Sequence, residues 1–313
     1  MDPSLNLVFC GTPEFAVPTL DKLVESGFHI QLVVTQPDRP KGRGLGLVAS
    51  PVKLHAIARH LPITQPQRIK ENAEFRDRLT SLKPDAIVVV GYGRIIPPWM
   101  LDLPPLGNVN LHASLLPRYR GAAPIQWAIA NGETITGVST MKIDEGLDTG
   151  DILLQRELAI GPRETAETLS LPLAAIGAEL MVETLHGLQS GKIRPRPQDG
   201  SQATFAPILK KEDGWIDFAR PADEILNRMR GFQPWPGAYT QFRGKKLRIL
   251  SSSKSNKPAS PAMLLIEGES LIVGCGGGSA IEILELQVEG KKRNTASEFI
   301  RGYRPRVGEQ LGS

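Results

Sequence analysis

An amide and an imidazole stand two residues apart in the segment NVNLHASLLPRYRG, residues 108–121. Asn110 and His112 lie at the end of an alternating apolar run, and a period of two places both side chains on the same face of a strand. An Asn side chain can donate to an oxyanion and a His can move a proton near neutral pH, so the pair could stabilise and protonate an oxyanion. The pair therefore suits acyl transfer without an enzyme nucleophile, although Asn and His at strand ends also serve as structural residues.

Two further features favour chemistry at this place. Pro117, Gly121 and Pro124 prevent the strand from continuing, so His112 is expected at its carboxyl end, where open α/β sheets place their sites. A second polar loop, IDEGLDTGD at 143–151, holds four carboxylates. One of these carboxylates could orient the imidazole.

Several motifs point to one family. HASLLPRYRGAAPIQ at 112–126 and DEGLDTGD at 144–151 resemble the signatures of the 10-formyltetrahydrofolate-dependent formyltransferases. The motifs most similar to the members that formylate methionyl-tRNA are FCGTPEFA at 9–16, QPDRPKGRG at 36–44, SPVK at 50–53 and QPWPGAYT at 233–240. The resemblance implies that the formyl group of 10-formyltetrahydrofolate passes to the α-amine of initiator methionyl-tRNA, giving N-formylmethionyl-tRNA for translation initiation.

The resemblance also implies roles for single residues. Asn110 and His112 would be catalytic together with Asp148, and the choice of Asp148 depends on the match at GLDTGD. The residues expected to bind the folate are Ser114, Leu115, Leu116, Pro117, Gly91, Tyr92, Ile95 and Asp144, with Glu145 as a further loop residue. Family members commonly have Leu-Ile-Leu-Pro where this chain has RIIP, so recognition by the backbone is expected there and Arg94 is given no role. No metal is expected.

The elements that must position these residues alternate between strands and helices. The segment LNLVFCG at 5–11 and QLVVT at 31–35 predict strands, with a helix from Glu14 to Ser26 between them. The turn lacks G-x-G-x-x-G, so a nicotinamide cofactor is rejected. Further predicted strands are Pro62–Gln65, DAIVVV at 85–90, ITGVSTMKI and DILLQREL; further predicted helices are VKLHAIARH, ENAEFRDRLTSLK, AAPIQWAIAN and one or two within 164–190. The pattern predicts a doubly wound, Rossmann-like α/β domain over 1–190.

The remaining third reads differently. Residues 191–207 are rich in Pro, Gly and polar residues without apolar periodicity, which is typical of a linker. A helix at PADEILNRMRG and about five short strands with Gly, Pro and Ser breaks then favour a small β-barrel over 208–313. The resemblance identifies this barrel with the OB-like, tRNA-binding domain of the family.

Basic residues are concentrated towards the end of the chain. Residues 208–313 hold 17 Lys and Arg against 12 Asp and Glu, whereas residues 1–207 hold 20 against 21. The loop PDRPKGRGLGLVA at 37–49 carries Arg39, Lys41 and Arg43 and is either a solvated loop or a flexible finger that orders on a phosphate backbone. The resemblance favours the finger, with Arg43 at the position that enters the tRNA acceptor stem. Lys210 and Lys211 are further candidates for tRNA contacts.

Composition and termini suggest the compartment. No apolar run of the roughly 20 residues that span a bilayer is evident, and the amino terminus MDPSLNLVFCG lacks the features of a signal peptide. Cys10 and Cys275 have neither metal-ligand nor redox spacing. We therefore expect a cytoplasmic monomer with reduced thiols and no membrane partner.

Two other interpretations stay open. One is a non-catalytic RNA-binding protein, in which Asn110, His112 and Asp148 merely hold a loop. The other is a formyltransferase that acts on a small amine, such as a nucleotide sugar or glycinamide ribonucleotide. The basic loop and the carboxy-terminal domain argue against a small substrate, and the combination of Asn, His and Asp argues against a role in binding alone.

Overall fold

The computed structural model describes residues 4–41 and 46–312, and it divides the chain into two compact units. The first contains the chain up to Pro124, Ile135–Ala159 and Ser170–Ala206. The second contains Ile125–Thr134, Ile160–Leu169 and the chain from Pro207. Most of the segment 191–207 thus belongs to the first unit. The functional division at 190 and 208 stays a prediction.

The strands of the first unit form a main sheet and a two-stranded sheet. In chain order they are β1 (Asn6–Gly11), β2 (His29–Val34), β3 (Arg39–Lys41), β4 (Gly46–Val48), β5 (Ile63–Thr64), β6 (Ala86–Val90), β7 (Asn108–His112), β8 (Ile135–Lys142) and β9 (Ile152–Ala159). The main sheet has the order β5-β2-β1-β6-β7-β8-β9. Its first five strands are parallel, and β8 and β9 run antiparallel to their neighbours.

The central strands are buried because their side chains are apolar on both faces. All five residues of β6, AIVVV, are buried, as are five of the six residues of β1. Strands buried on both faces are typical of parallel sheets covered by helices. The chain runs from β1 outward to β2 and β5 and then returns to β6 and β7, so the predicted doubly wound topology is confirmed.

The described residues up to 190 contain six α-helices, of which nearly all of the fifth and the first residues of the sixth belong to the second unit. They are α1 (Val17–Glu25), α2 (Pro51–Ala58), α3 (Ala73–Leu82), α4 (Pro98–Leu101), α5 (Pro124–Ala130) and α6 (Ala166–Gln189). The side chains of Ser50 and Asn72 cap α2 and α3 by accepting from the amides of Lys53 and Phe75. The segment 164–190 forms a single long helix that contains Pro172.

By length and composition, α6 could cross a membrane. Half of its apolar window is buried within the fold, as happens in core helices of soluble proteins. The helix is therefore weak evidence for a membrane span.

The basic segment 37–49 contains more regular structure than expected. Strands β3 and β4 pair antiparallel, with Arg39 opposite Val48 and Lys41 opposite Gly46. Pro40 lies in a two-stranded ribbon, where a missing backbone donor is tolerated. Arg43 and the side chain of Lys41 lie outside the described residues.

The second unit is built on an antiparallel sheet. Beyond residue 207, its elements are α7 (Ala222–Gly231), β10 (Ala238–Phe242), β11 (Lys245–Ser255), β12 (Leu264–Glu267), β13 (Ser270–Gly274), β14 (Ala280–Val288), β15 (Arg293–Thr295) and α8 (Ala296–Tyr303). The order is β10-β11-β14-β13-β12, with β15 on β14. Residues 308–312 bridge the two edges, because Gly308 and Glu309 bond Leu264, and the Gly312 amide donates to the Gln241 carbonyl. This closure agrees with the predicted barrel.

Helix α8 and strand β15 were not predicted, although a signal for α8 exists. Thr295 accepts from the amide of Glu298, and Glu298 accepts from the amide of Thr295. This capping box is readable as T-x-x-E ahead of an apolar run. Phe299 then inserts into the core of the barrel, where it is 1% exposed.

Candidate functional site

Strand β7 carries both Asn110 and His112. Asn110 lies opposite Val89 of β6 and Met141 of β8, and His112 lies opposite Ser139. The strand ends at His112, so the predicted position of the imidazole at a carboxyl end of the sheet is what the structure has. His112 is 6% exposed.

Both ring nitrogens of His112 face protein oxygens. Nε2 lies 2.8 Å from the carbonyl oxygen of Tyr119, and Nδ1 lies 3.7 Å from Oδ2 of Asp148. Because a carbonyl can only accept, Nε2 carries the proton and Nδ1 presents a lone pair when the ring is neutral. The 3.7 Å separation is too long for a hydrogen bond. The carboxylate is thus a close counter-charge for a protonated Nδ1.

The loop between β8 and β9 brings Asp148 to this position. It leaves the sheet where the Ile143 amide donates to the carbonyl of Asn108, at the start of β7. The backbone of Asp148 is left-handed, with φ of 53°. Its Oδ2 accepts from the amide of Gly121 at 2.8 Å. The structure therefore brings together His112, at the end of β7, and Asp148, on the loop between β8 and β9.

Asn110 differs from its two neighbours. Its side chain is half-buried, and no residue within 4–41 or 46–312 forms a hydrogen bond with its amide group. An amide that is not used by the fold is available to a ligand. Of the three predicted catalytic residues, Asn110 has the side chain with the most hydrogen-bonding capacity to spare.

The signature segment after β7 is held by buried polar contacts. The hydroxyl of Ser114 donates to the carbonyl of Arg118 at 2.6 Å. The Leu116 amide donates to Oγ of Ser139, and the Leu116 carbonyl accepts from Nε2 of Gln155. Leu115 and Pro117 remain half-buried. The predicted folate-binding segment is therefore a fixed loop rather than a mobile one.

Three predicted folate residues follow β6, and they lie in different environments. Gly91 has φ of 55°, and a Cβ there would lie 2.8 Å from Cγ of Pro13. The ring of Tyr92 is buried in the core, and burial raises the pKa of its phenol. The Tyr92 carbonyl accepts from Gln36 at 2.8 Å. Ile95 is 91% exposed. The Tyr92 side chain belongs to the core, whereas Ile95 is open to a ligand.

Three further residues of the loops that follow β6 and β8 have local roles or remain exposed. Arg94 donates from Nη1 to the carbonyl of Gln67 at 2.6 Å. Asp144 and Glu145 are exposed. Asp144 accepts from the amide of Gly146 at 3.0 Å and from the hydroxyl of Thr149 at 2.8 Å. Asp144 therefore stabilises the loop that carries Asp148.

The predicted tRNA contacts lie in both units. Arg39 is exposed on β3 and donates to Oε1 of Gln36 at 2.5 Å. Lys210 and Lys211 are exposed at the 3₁₀ turn Lys211–Gly214 of the second unit. Arg43, the residue assigned to the acceptor stem, falls outside the described residues.

Sequence reasoning missed the residues that tie these loops to the segment after α6. Nε2 of Gln198 donates to the carbonyls of Asp148 and Gly150, at 2.9 and 2.7 Å. Arg120 donates to Oε1 of Gln198 from Nε and Nη2, at 3.1 and 2.7 Å. The Tyr119 amide donates to the hydroxyl of Thr204 at 2.9 Å. A Gln in a polar, aperiodic segment carries no sequence signal for such a role.

The remaining candidate groups lack catalytic features. Among the residues that the structure describes, no three His, Cys, Asp or Glu side chains form a group that could hold a metal ion. Cys10 and Cys275 are free and buried. Burial raises the pKa of both thiols, that of Cys275 to about 11. Neither thiol is a nucleophile at neutral pH.

Comparison with known families agrees with this geometry. The model described as "Formyl transferase" matches residues 5–185, and "Formyl transferase, C-terminal domain" matches residues 208–304. The chain belongs to the formyl transferase family. The resemblance seen in the sequence motifs is thereby confirmed, and the matches include both signature loops and the barrel.

Sequence relatives and solved structures similar to this formyl transferase match nearly its whole length. It is 63% identical to the methionyl-tRNA formyltransferase of Koribacter versatilis, over 98% of each chain. It is 60% identical to that of Acidobacterium capsulatum, over 99% of this chain and 100% of the relative. A crystal structure of WlaRD, a sugar 3N-formyl transferase in the presence of dTDP and 5-N-formyl-THF, has a TM-score of 0.66 at 18% identity, covering 93% and 100% of the chains. HypX from Aquifex aeolicus in complex with tetrahydrofolic acid has a TM-score of 0.64 at 17% identity, covering 98% of this chain and 49% of HypX. At these identities, the two structures show a shared fold.

Proposed function

We propose that this protein transfers the formyl group of 10-formyltetrahydrofolate to the α-amino group of initiator methionyl-tRNA, giving N-formylmethionyl-tRNA for translation initiation. The observation that carries the proposal is the 63% identity, over 98% of each chain, with a relative named methionyl-tRNA formyltransferase. The protein acts as a cytoplasmic monomer, without a metal and without a membrane partner.

The acceptor is the substrate's own amine. An α-amino group has a pKa of about 7.7–8.0, so a substantial part is neutral near pH 7 and no enzyme nucleophile is required. Attack on the formyl carbon forms a C–N bond, an oxyanion and an ammonium. The free side-chain NH2 of Asn110 donates to this oxyanion, because none of the described residues occupies it.

His112 moves the proton. Since the Tyr119 carbonyl holds the hydrogen on Nε2, the free lone pair on Nδ1 accepts the proton that the attacking amine must lose. The protonated ring then lies 3.7 Å from the carboxylate of Asp148. From Nδ1 the proton passes to N10 of tetrahydrofolate as the C–N10 bond breaks, and the ring returns to its neutral form.

Asp148 supplies the counter-charge that orients the ring once Nδ1 is protonated. Its Oδ2 is fixed by the amide of Gly121, so the carboxylate stays directed at Nδ1 without forming a bond to it in the neutral state. A counter-charge placed where charge develops needs no reorganisation during the reaction.

The folate donor is bound by the loops that follow β6, β7 and β8. The residues assigned to it are Ser114, Leu115, Leu116, Pro117, Gly91, Tyr92, Ile95 and Asp144. Ile95, Leu115 and Pro117 have side-chain surface to offer an aromatic heterocycle. Tyr92 contributes through its backbone, because its ring lies in the core.

The tRNA contacts comprise Arg39, Lys41, Arg43, Lys210 and Lys211. Arg43→Ala should weaken use of methionyl-tRNA far more than binding of the folate, and the effect should fall at high salt if the guanidinium contacts a phosphate. Steady-state kinetics at two salt concentrations measure this. Equal losses with tRNA and with a minimal amine acceptor would contradict the assignment.

The decisive experiment compares folate-dependent formyl transfer to charged tRNA, uncharged tRNA and small amines. The expected result is turnover with methionyl-tRNA far above that with any small amine, and none with uncharged tRNA. Equal turnover with a nucleotide amino sugar or glycinamide ribonucleotide would favour a small-amine formyltransferase. Tight tRNA binding with no turnover would favour an RNA-binding protein.

A further inference from the structure

Residues 196–206, which follow α6, are bonded to the site rather than free of it. Arg196 bridges Ile152 through two backbone bonds of 2.9 Å. The Thr204 carbonyl accepts from the amide of Arg120 at 2.9 Å, and the Ala206 amide donates to the carbonyl of Arg120 at 2.7 Å. A flexible linker has no need of such bonds. This segment is part of the framework around His112 and Asp148.

Gln198 occupies the point where the two site loops meet. It gives both hydrogens of its NH2 to the carbonyls of Asp148 and Gly150, and its oxygen accepts twice from Arg120. A flipped amide would set its NH2 against the guanidinium and its oxygen against two carbonyls. The partners therefore fix the orientation of the amide.

The segment at Arg120 and Gly121 and the loop at Asp148 are joined by two separate sets of hydrogen bonds. The side chain of Gln198 connects the backbone of Asp148 to the side chain of Arg120, while the side chain of Asp148 accepts from the backbone of Gly121. Asp148 has a left-handed backbone, a conformation that is less favourable for Asp than for Gly and that persists when the surrounding structure supports it. Bonds to the carbonyls on either side of Thr149 supply that support.

We infer that Gln198 is a positioning residue for formyl transfer, holding the carboxylate of Asp148 beside Nδ1 of His112. The expected effect of Gln198 on the rate of formyl transfer rests on the proposed function. The predicted linker thus contains a component of the active site, one that acts through Asp148 and contacts neither substrate.

Two variants of Gln198 separate its two sets of bonds. Gln198→Glu keeps an acceptor for Arg120 and loses both donors to the carbonyls of Asp148 and Gly150; Gln198→Met has similar length and loses both sets. Both should lower kcat about 10- to 100-fold, since a small misplacement of a catalytic group costs up to about that much, with KM for either substrate little changed. Gln202→Ala is the matched control, because its exposed amide donates only within the segment, to Asp199.

The pattern of losses decides the inference. A wild-type kcat for Gln198→Glu would overturn it, because the donors to the Asp148 loop would then be dispensable. Coupling gives a second criterion: in an Asp148→Asn background, Gln198→Met should cost much less than in the wild type. Equal losses in both backgrounds would show a general structural effect and would also overturn the inference.

A readout without turnover keeps this test independent of the proposed function. In the folded, substrate-free protein, the NMR signals of the His112 ring should shift in Gln198→Met and stay in place in Gln202→Ala. Unchanged ring signals in a folded Gln198→Met would overturn the positioning role. If the wild type transferred no formyl group, the proposed function would fail. The ring signals would still test whether Gln198 positions Asp148 beside His112.

Discussion

Each unit contains a stretch that folds back and is fixed by one multiply bonded side chain, but the residue types differ. In the first unit, Gln198 meets two carbonyls, which need donors, and a guanidinium, which needs an acceptor. In the second unit, Arg243 meets acceptors: the carboxylate of Glu309 at 2.6 and 2.9 Å and the carbonyls of Tyr303 and Arg304. The Gln198 amide both donates and accepts hydrogen bonds, whereas the Arg243 guanidinium only donates them.

The two stretches also fix different things. Gln198 positions a loop with a left-handed residue next to a candidate catalytic His, so its loss should appear mainly in kcat. Arg243 lies at the turn between β10 and β11 and bonds Glu309 of residues 308–312, which bridge the open edges of the barrel, so its loss should appear in stability. Four changes test this division, from the largest expected effect to the smallest.

The largest effect is expected in the barrel core. Phe299 of α8 stacks on Tyr303 with ring centroids 4.8 Å apart and meets Phe242 edge-on at 5.1 Å. Phe299→Ala should lower the free energy of unfolding by about 3–5 kcal/mol, through lost burial and a cavity. Urea denaturation measures the loss. An unchanged midpoint would show that α8 does not complete the barrel.

The next effect is kinetic. Asn110→Ala removes the free NH2 from the site, and loss of one oxyanion donor typically costs about 2.7–4 kcal/mol, or 10²–10³ in kcat. His112→Ala and Asp148→Ala should lower kcat at least as much, and the triple variant should lose far less than the sum, because the three act as one unit. Single-turnover kinetics and tRNA-binding measurements separate rate from affinity. Wild-type kcat in any single variant would remove that residue from the mechanism.

What the sequence could predict depends on whether a residue's partners are local. Strands such as β1 and β6 and the position of His112 at a strand end followed from alternation and from Pro and Gly breaks. Asp148 was selected by family resemblance, because spacing does not distinguish it from Asp144. Gln198 was not predictable from any pattern, since its partners lie 48, 50 and 78 residues away in the chain. Long-range bonds from polar side chains leave no periodicity to detect.

A moderate effect is expected where the returning segment touches the signature loop. Gly121 has φ of 118°, and a Cβ there would lie 2.7 Å from the carbonyl oxygen of Ala206. Gly121→Ala should cost about 1–3 kcal/mol of stability through backbone strain, with a further loss in kcat because the segment is pushed away. Gly191→Ala is the matched control: its φ is 66°, yet a Cβ would have open space. Equal losses in melting temperature and kcat for both variants would show that the contact with Ala206 contributes nothing.

The smallest effect concerns the charged clamp of the barrel. The hydrogen bond from Arg243 lowers the pKa of Glu309 from its ordinary value. Because the folded-state pKa is depressed, the stabilisation is complete above the ordinary carboxyl pKa of about 4.3 and is lost as the pH falls through the lower folded value. With the Arg243 side chain 48% exposed, solvent screening limits the contribution to about 0.2–1 kcal/mol. Glu309→Gln should therefore lower the melting temperature slightly at neutral pH, and the difference from the wild type should shrink on acidification below the carboxyl pKa.

Glu269→Gln is the control. It removes the ion pair of Glu269 with Arg301, in which the Glu269 side chain is 77% exposed, and should change the melting temperature little at either pH. A deficit for Glu309→Gln that stays constant on acidification would show that the ionised carboxylate is not what holds the closing segment.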